Sequence, residues 1–142
     1  MTYATQADLS ALYGDAELIQ LCNRTGGSTM DAPALAVLAR ALDSAESMVD
    51  GWVSTRYSLP LSSVPALLVE VACDIARWRL YGQKPTEEVR ARYEDAIDTL
   101  RAIAKGSITL PLADGAPVTA SGGLASSAPA AAFSVDTTEA AG

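Results

Sequence analysis

Hydrophobic residues recur every three or four positions in three long stretches of the chain. The first stripe, with spacings of 3, 4, 3, 4 and 3, consists of Leu35, Leu38, Leu42, Ala45, Val49 and Trp52. The second and third consist of Leu68, Val71, Ile75 and Trp78, and of Val89, Tyr93, Ala96, Leu100 and Ile103. This period is typical of an amphipathic helix with one packed face. The pattern predicts three long helices, with both tryptophans largely buried.

Residues that begin and end helices lie at the edges of these stretches. Asp31 and Thr86 are suited to cap the first and third long helices, and Gly106 is suited to end the last one. Ahead of them, Thr5 followed by Asp8 predicts a short helix over about residues 6–13. Asp15 is predicted to cap a second short helix.

These elements predict an all-α fold, a small bundle of three long antiparallel helices with the two short N-terminal helices packed across it. A free coiled coil would need three or four uninterrupted heptads, and prolines and glycines interrupt every stripe sooner. The predicted organisation is a helical bundle domain over residues 1–106 and an extended, low-complexity C-terminal arm over residues 107–142. The arm is mostly Ala, Ser, Gly, Thr and Pro, too little apolar surface to fold by itself.

The composition excludes several kinds of chemistry. The 142 residues carry a formal net charge of −7, which disfavours binding to nucleic acid by bulk electrostatics. Without any histidine, the usual general base and most zinc sites are missing. Cys22 and Cys73 are far apart and are interpreted as packing residues. With no signal peptide and no long apolar run, we expect a soluble protein. Because the sequence offers almost no residues arranged for catalysis, we also expect that it is not an enzyme and needs no cofactor.

Clustered carboxylates are the strongest remaining candidates for chemistry. Asp43, Glu46 and Asp50 recur on one helix face and could bind a hard cation, as in a metal-dependent hydrolase. Because the apolar stripe of that helix lies elsewhere, a solvated face is the favoured interpretation. Glu70 and Asp74, four residues apart, are interpreted in the same way.

A proline-containing joint separates the first two long helices in the stretch "TRYSLPLSSVP". Pro60 and the proline at position 65 disfavour helix at the preceding residues and stiffen the joint. Tyr57, Leu59 and Leu61 alternate, which suits an extended strap pressed onto the end of the bundle. The strap is either a plain connector or an interaction surface formed by Arg56, Tyr57, Leu59 and Pro60.

Basic residues are concentrated late in the chain, where seven of the ten fall between Arg77 and Lys105 and alternate with acids. Arg77 and Arg79 flank Trp78 and could stack on, or bind, carboxylates of a partner. Arginine and tryptophan are favoured at the centres of protein interfaces. Protein contact is therefore favoured over nucleic-acid binding.

The order of these features resembles a known family. "ALDSAESMVDGWVSTRYSLPLSSVPALLVEVACDIARWRLYG", followed by "VRARYEDAIDTLRAIAKGSITL", resembles the head-tail adaptor (neck) proteins of Mu-like tailed phages, and the opening "TYATQADLSALYGDAELIQL" fits as well. The similarity covers about residues 2–112. It implies a homo-oligomeric ring, usually of twelve copies, that docks under the portal protein and receives the next neck, stopper or tail-terminator protein.

The resemblance also implies where the protein acts. The ring would lie at the head-tail junction of the virion, after assembly in the host cytoplasm and without contact to a membrane. It would extend the channel through which genomic DNA passes, without sequence-specific binding. A small helical DNA-binding packaging protein is the alternative, and it would need a coherent basic face.

The arm carries one candidate contact segment. Phe133 and Val135 alternate with Ser134, a pattern that suits addition of a strand to a neighbouring protein. An arm that orders on binding would let a small ring hold a large partner. A flexible linker without specific contacts is the alternative.

Overall fold

The computed structural model describes residues 1–112, which contain five α-helices. These are α1 (Gln6–Tyr13), α2 (Asp15–Cys22), α3 (Ala32–Val53), α4 (Ala66–Tyr81) and α5 (Glu87–Lys105). The predicted all-α class is confirmed. None of the helices in this part of the chain is both long and apolar enough to cross a membrane.

The predicted caps explain where most helices begin. The Thr5 and Asp8 side chains form a reciprocal capping box at α1, and the Thr86 hydroxyl accepts from the Val89 amide at 3.2 Å at α5. Asp31 caps α3 through the Ala34 amide at 3.0 Å. The prediction that Asp15 caps α2 is wrong. Gly14 is the N-cap there and also the C-cap of α1, and its φ of 92° is a conformation that glycine adopts readily.

Helix α4 is the centre of the bundle. It packs along α3 on one side and α5 on the other, α3 also contacts α5, and α1 and α2 lie across α3 and α4. Buried residues therefore occupy most of its circumference: Leu68, Val71, Ala72, Cys73, Ile75, Ala76, Arg77 and Leu80. The two cysteines are free and buried, as expected of packing residues. Burial raises the pKa of the Cys73 thiol to about 12, which keeps it protonated and unreactive.

The apolar stripe of α3 is rotated from the predicted one. Its buried line is Ala34, Leu38, Ala41, Ala45, Val49 and Val53. Leu35, predicted to be buried, is 43% exposed. Three of these six residues are alanines, and Leu35 and Leu42 of the predicted stripe lie outside the buried line.

Trp52 and Trp78, predicted to be largely buried, are neither exposed nor fully enclosed, and they lie at the margin of the core. Trp78 stacks on Tyr93 at the edge of the α4–α5 contact, with ring centroids 4.0 Å apart and planes 12° from parallel. The Arg101 guanidinium lies 6.0 Å from the Trp52 ring. An indole at a bundle edge covers apolar neighbours while one side stays solvated. The tryptophans therefore cover the edge of the core and are not enclosed within it.

Candidate interaction site

The joint between α3 and α4, residues 54–65, forms a strap held down by Tyr57. The Tyr57 side chain is buried, and its hydroxyl accepts a hydrogen bond from the Leu110 amide at 2.9 Å. Leu110 and Leu61 are buried beside it. The strap therefore fastens the segment after α5 to the bundle. The Tyr57 ring is part of the core and is not accessible to a partner in this structure.

Arg56, the residue before this anchor, lies over the end of α5. A Cβ atom built on Gly106 would come within 2.8 Å of the Arg56 Cζ, so the guanidinium occupies the space that the glycine leaves. Gly106 has a φ of 86°, a left-handed conformation that ends the helix. The cationic group is favourably placed at the negative end of the helix dipole. Its Nε is buried and has no hydrogen-bond partner within residues 1–112.

Only part of the strap is available at the surface. Leu59 and Pro60, joined by a cis peptide bond, are half-buried and exposed, respectively. Pro65 is buried and is the N-cap residue of α4. Of the four strap residues predicted to form an interface, Pro60 is the most exposed, and the interface itself stays a prediction.

Arg77 has its carboxylate partner within the same chain. Its Nε and Nη2 donate to the two oxygens of Glu17 at 2.7 and 3.0 Å, and its guanidinium lies 4.1 Å from the centroid of the Tyr13 ring. The Arg77 side chain is 9% exposed. We call Arg77, Glu17 and Tyr13 the Arg77 clamp. It joins α1 and α2 to α4, and the hydrogen bond to Glu17 raises the pKa of Arg77.

Asp74, interpreted from sequence as solvated, belongs to the same region. Its carboxylate accepts a hydrogen bond from the Tyr13 hydroxyl and lies 3.8 Å from Nη1 of Arg92. Burial raises the pKa of Asp74 above its ordinary value, and the Tyr13 hydroxyl and Arg92 offset this only in part. The solvated interpretation is wrong here because α1 covers this part of α4.

A pH-dependent change in stability should follow for Asp74→Asn. Because the pKa is higher in the folded protein, stabilisation by the protonated form is complete below pH 3.8 and is lost as the pH rises through the raised value. Asparagine can still accept from Tyr13 and carries no charge. Thermal melts should therefore show the variant gaining stability relative to wild type as the pH rises through this window. Parallel curves for the two proteins would contradict the assignment.

Arg79 is exposed at the end of α4, with its guanidinium 6.0 Å from the Trp78 ring. It makes no ion pair among the described residues, unlike Arg77. Of the two arginines that flank Trp78, Arg79 is thus the one free to contact a partner. Phe133 and Val135, the predicted contact residues of the arm, lie outside the described residues.

The carboxylates of α3 brace the N-terminal segment. Asp50 accepts from the Tyr3 hydroxyl, and the α-amino group of Met1 lies 3.2 Å from Asp50 and 3.5 Å from Glu46. Asp43 is exposed. Within residues 1–112 no group of three or more His, Cys, Asp or Glu could hold a metal ion. The solvated-face interpretation is thus incomplete, since two of the three carboxylates hold the chain that precedes α1.

Sequence reasoning missed the polar residues that connect distant elements. Tyr13 and Glu17 are about sixty positions from their partners, and nothing local marks them. Asn23 is another, buried in the loop after α2, where its amide donates to the Thr29 carbonyl at 2.8 Å. A polar residue next to a helix end was the available signal for Asn23.

Fold and site together define a small helical-bundle protein whose described polar groups mainly brace its own helices. The family described as "Bacteriophage Mu, Gp36" matches residues 3–128, and the chain belongs to that family of phage proteins. It is 37% identical over 107 residues to gene product J of Escherichia phage Mu, covering 75% of this chain and 74% of that protein. It is 40% identical over 79 residues to the Mu-like prophage FluMu protein gp36 of Haemophilus influenzae. That match spans 56% of each chain, so it covers little more than half of the Haemophilus protein.

Proposed function

We propose that this protein is a structural head-tail adaptor of a Mu-like phage. It forms a ring under the portal protein, extends the DNA channel and connects the capsid to the tail. Membership in the Mu Gp36 family over residues 3–128 is the observation that carries the proposal. The protein acts in the virion, after assembly in the host cytoplasm, and neither catalysis nor a cofactor is part of this function.

The physical character of the bundle supports this role. Tyr57 and the Arg77 clamp connect distant parts of the chain, which gives a rigid unit suited to repeated packing in a ring. The net charge of −7 also suits a protein beside passing DNA, because a repulsive wall does not retain phosphates. The next neck or tail protein would bind the face of the ring opposite the portal.

A DNA-binding packaging protein is supported less well. Four of the seven late basic residues form ion pairs with carboxylates of the chain: Arg77, Arg90, Arg92 and Arg101. Pairing within the chain leaves few charges available to neutralise phosphates. The basic cluster read from the sequence is therefore largely compensated within the fold.

The decisive experiment is assembly on the portal. The purified full-length chain is examined by native mass spectrometry and negative-stain electron microscopy, alone and mixed with the portal protein of the same phage. We expect a ring, either free or formed on the portal vertex, and loss of tail attachment in phage particles that lack the protein. A chain that stays monomeric with portal, or particles that attach tails without it, would refute the proposal.

The C-terminal arm should help to hold the protein on the portal or on the following neck protein and should not be needed for folding of the bundle. A chain ending at Leu112 and the variant Phe133→Ala should both keep the helical circular dichroism signal and lose retention on the portal or on the following neck protein. Leu124→Ala, a large apolar residue of the arm outside the alternating segment, is the matched control. Full occupancy by the shortened chain in reconstituted necks would mean that the arm is only a linker.

A further inference from the structure

Three arginines converge on one concave surface. Arg24, Arg40 and Arg79 line a notch of about 180 Å³ between α3, α4 and the loop after α2. The remaining lining residues are Val37, Ala41, Ser44 and Leu80, so no carboxylate faces the arginines. All three arginines are exposed. None makes an ion pair among the described residues, and Arg24 donates only to the Leu21 carbonyl at 3.4 Å.

Half of the eight arginines in this chain have carboxylate partners. Acidic residues outnumber basic ones by seventeen to ten, yet only Arg77, Arg90, Arg92 and Arg101 form ion pairs within residues 1–112, whereas the three arginines of the notch and Arg56 do not. Three planar guanidinium groups around a small notch can bind carboxylates through paired hydrogen bonds. We call this surface the arginine notch, and its chemistry fits an acidic partner.

An acidic surface lies in another groove of the same bundle. Glu70, Asp74 and Asp95 line a groove of about 390 Å³ between α4 and α5, with Arg92 as the one basic residue. Asp74 and Arg92 pair with each other, whereas Glu70 and Asp95 are exposed and make no ion pair among residues 1–112. We call this surface the acidic groove.

The two surfaces face different directions. Glu70 and Arg79 are nine residues apart on α4, which places them about 180° apart around the helix at 3.6 residues per turn. The arginine notch lies beside α3 at the C-terminal end of α4, and the acidic groove lies beside α5 in the first half of α4. Two complementary patches at different places on one molecule generate a head-to-tail contact, which closes into a ring when the rotation between copies allows it.

We infer that neighbouring copies of this protein associate by placing the acidic groove of one copy against the arginine notch of the next. The inference rests on the proposed ring and names its subunit contact. Glu70 and Asp95 supply the carboxylates, and Arg24, Arg40 and Arg79 receive them. A second copy is favoured over DNA because the chain is acidic overall, three arginines neutralise few phosphates, and the notch is small beside a duplex.

Charge reversal tests the contact in the full-length chain. The notch variant carries Arg40→Glu and Arg79→Glu, and the groove variant carries Glu70→Arg and Asp95→Arg. Each variant alone should require at least a tenfold higher protein concentration to assemble than the wild-type chain does, with or without portal. An equimolar mixture of the two variants, or one chain carrying all four changes, should assemble again because every contact is then attractive.

Matched controls separate this contact from general charge effects. Arg90→Glu and Glu94→Arg change exposed residues of α5 that line neither surface, and they should assemble as wild type does. Circular dichroism reports whether each chain is folded. If a reversal variant loses helicity, Arg79→Gln and Glu70→Gln replace it, and each should weaken assembly and reduce its dependence on salt.

Each contrary result has a distinct meaning. If both reversal variants assemble as the wild-type chain does, the inferred contact is wrong, although the ring itself remains possible. Loss in each variant without rescue in the mixture would mean that the two surfaces bind different partners. A notch variant that assembles normally and loses affinity for duplex DNA would make the notch a DNA site. A wild-type chain that never assembles, even on portal, would remove the proposed function itself.

Discussion

Replacing Tyr57 by alanine should lower the free energy of unfolding by about 3–5 kcal/mol, because a buried aromatic ring leaves a cavity that the strap cannot fill. Residues 107–112 should also detach from the bundle, since the Leu110 amide loses its partner. Urea unfolding monitored by circular dichroism measures the first effect. Hydrogen exchange at the Leu110 amide measures the second.

Tyr57→Phe isolates the hydrogen bond from the cavity. It keeps the ring and removes the hydroxyl, which leaves the buried Leu110 amide unpaired at a cost of about 1–3 kcal/mol. Tyr93→Phe is the control, because the Tyr93 ring stacks on Trp78 and its hydroxyl makes no hydrogen bond within residues 1–112. Equal stability of the Tyr57→Phe and wild-type proteins, with unchanged exchange at Leu110, would mean that the strap is held by other contacts.

Arg77→Met should cost about 3 kcal/mol, since removing one partner of a buried ion pair leaves the other uncompensated. This value is at the low end for such pairs because the Glu17 side chain is 26% exposed and can be partly hydrated. The change also removes the contact of the guanidinium with the Tyr13 ring. Urea unfolding gives the cost.

Two further variants show whether the geometry of the Arg77 clamp matters. Arg77→Lys keeps the charge and loses the paired hydrogen bonds, so its loss should be smaller than that of Arg77→Met but measurable. Arg90→Met breaks an exposed pair between residues three apart on α5 and should change stability by less than about 0.5 kcal/mol. A double-mutant cycle with Glu17→Gln gives the coupling energy. A coupling near zero would mean that Arg77 acts through packing alone.

Local sequence signals were sufficient for most of the fold. Capping residues such as Thr5 and Thr86 gave helix starts because the side chain and the amide it bonds are three positions apart. The stripe of α3 was misplaced because periodicity weights large residues. Half of the buried line there is alanine, and alanines also occur on the exposed side of that helix, so they do not mark its buried face. The periodicity therefore predicts Leu35 and Trp52 on the buried face of α3, where the structure has Ala34 and Val53.

The candidate site was harder to predict, because its residues act across the chain. Arg77 was predicted to stack on, or bind, carboxylates of a partner, and in the fold it binds Glu17 of the same chain. Tyr57 was correctly placed on the strap, but its partner is a backbone amide 53 positions away. The arginine notch unites three residues from different elements, and no spacing in the sequence indicates that they meet.

The long separations also determine when the fold can be completed during synthesis. Tyr13 and Glu17 are synthesised about sixty residues before their partners on α4. Tyr57 is synthesised 53 residues before Leu110. Such contacts form only after the intervening chain has closed into a loop, which slows folding relative to a helical protein with local contacts. A nascent chain that ends before Leu110 therefore exposes Tyr57 and the apolar end of the bundle. The strap can make its contact with Leu110 only after residues 107–112 have left the ribosome. Unfinished chains therefore lack part of the surface that the proposed ring would use.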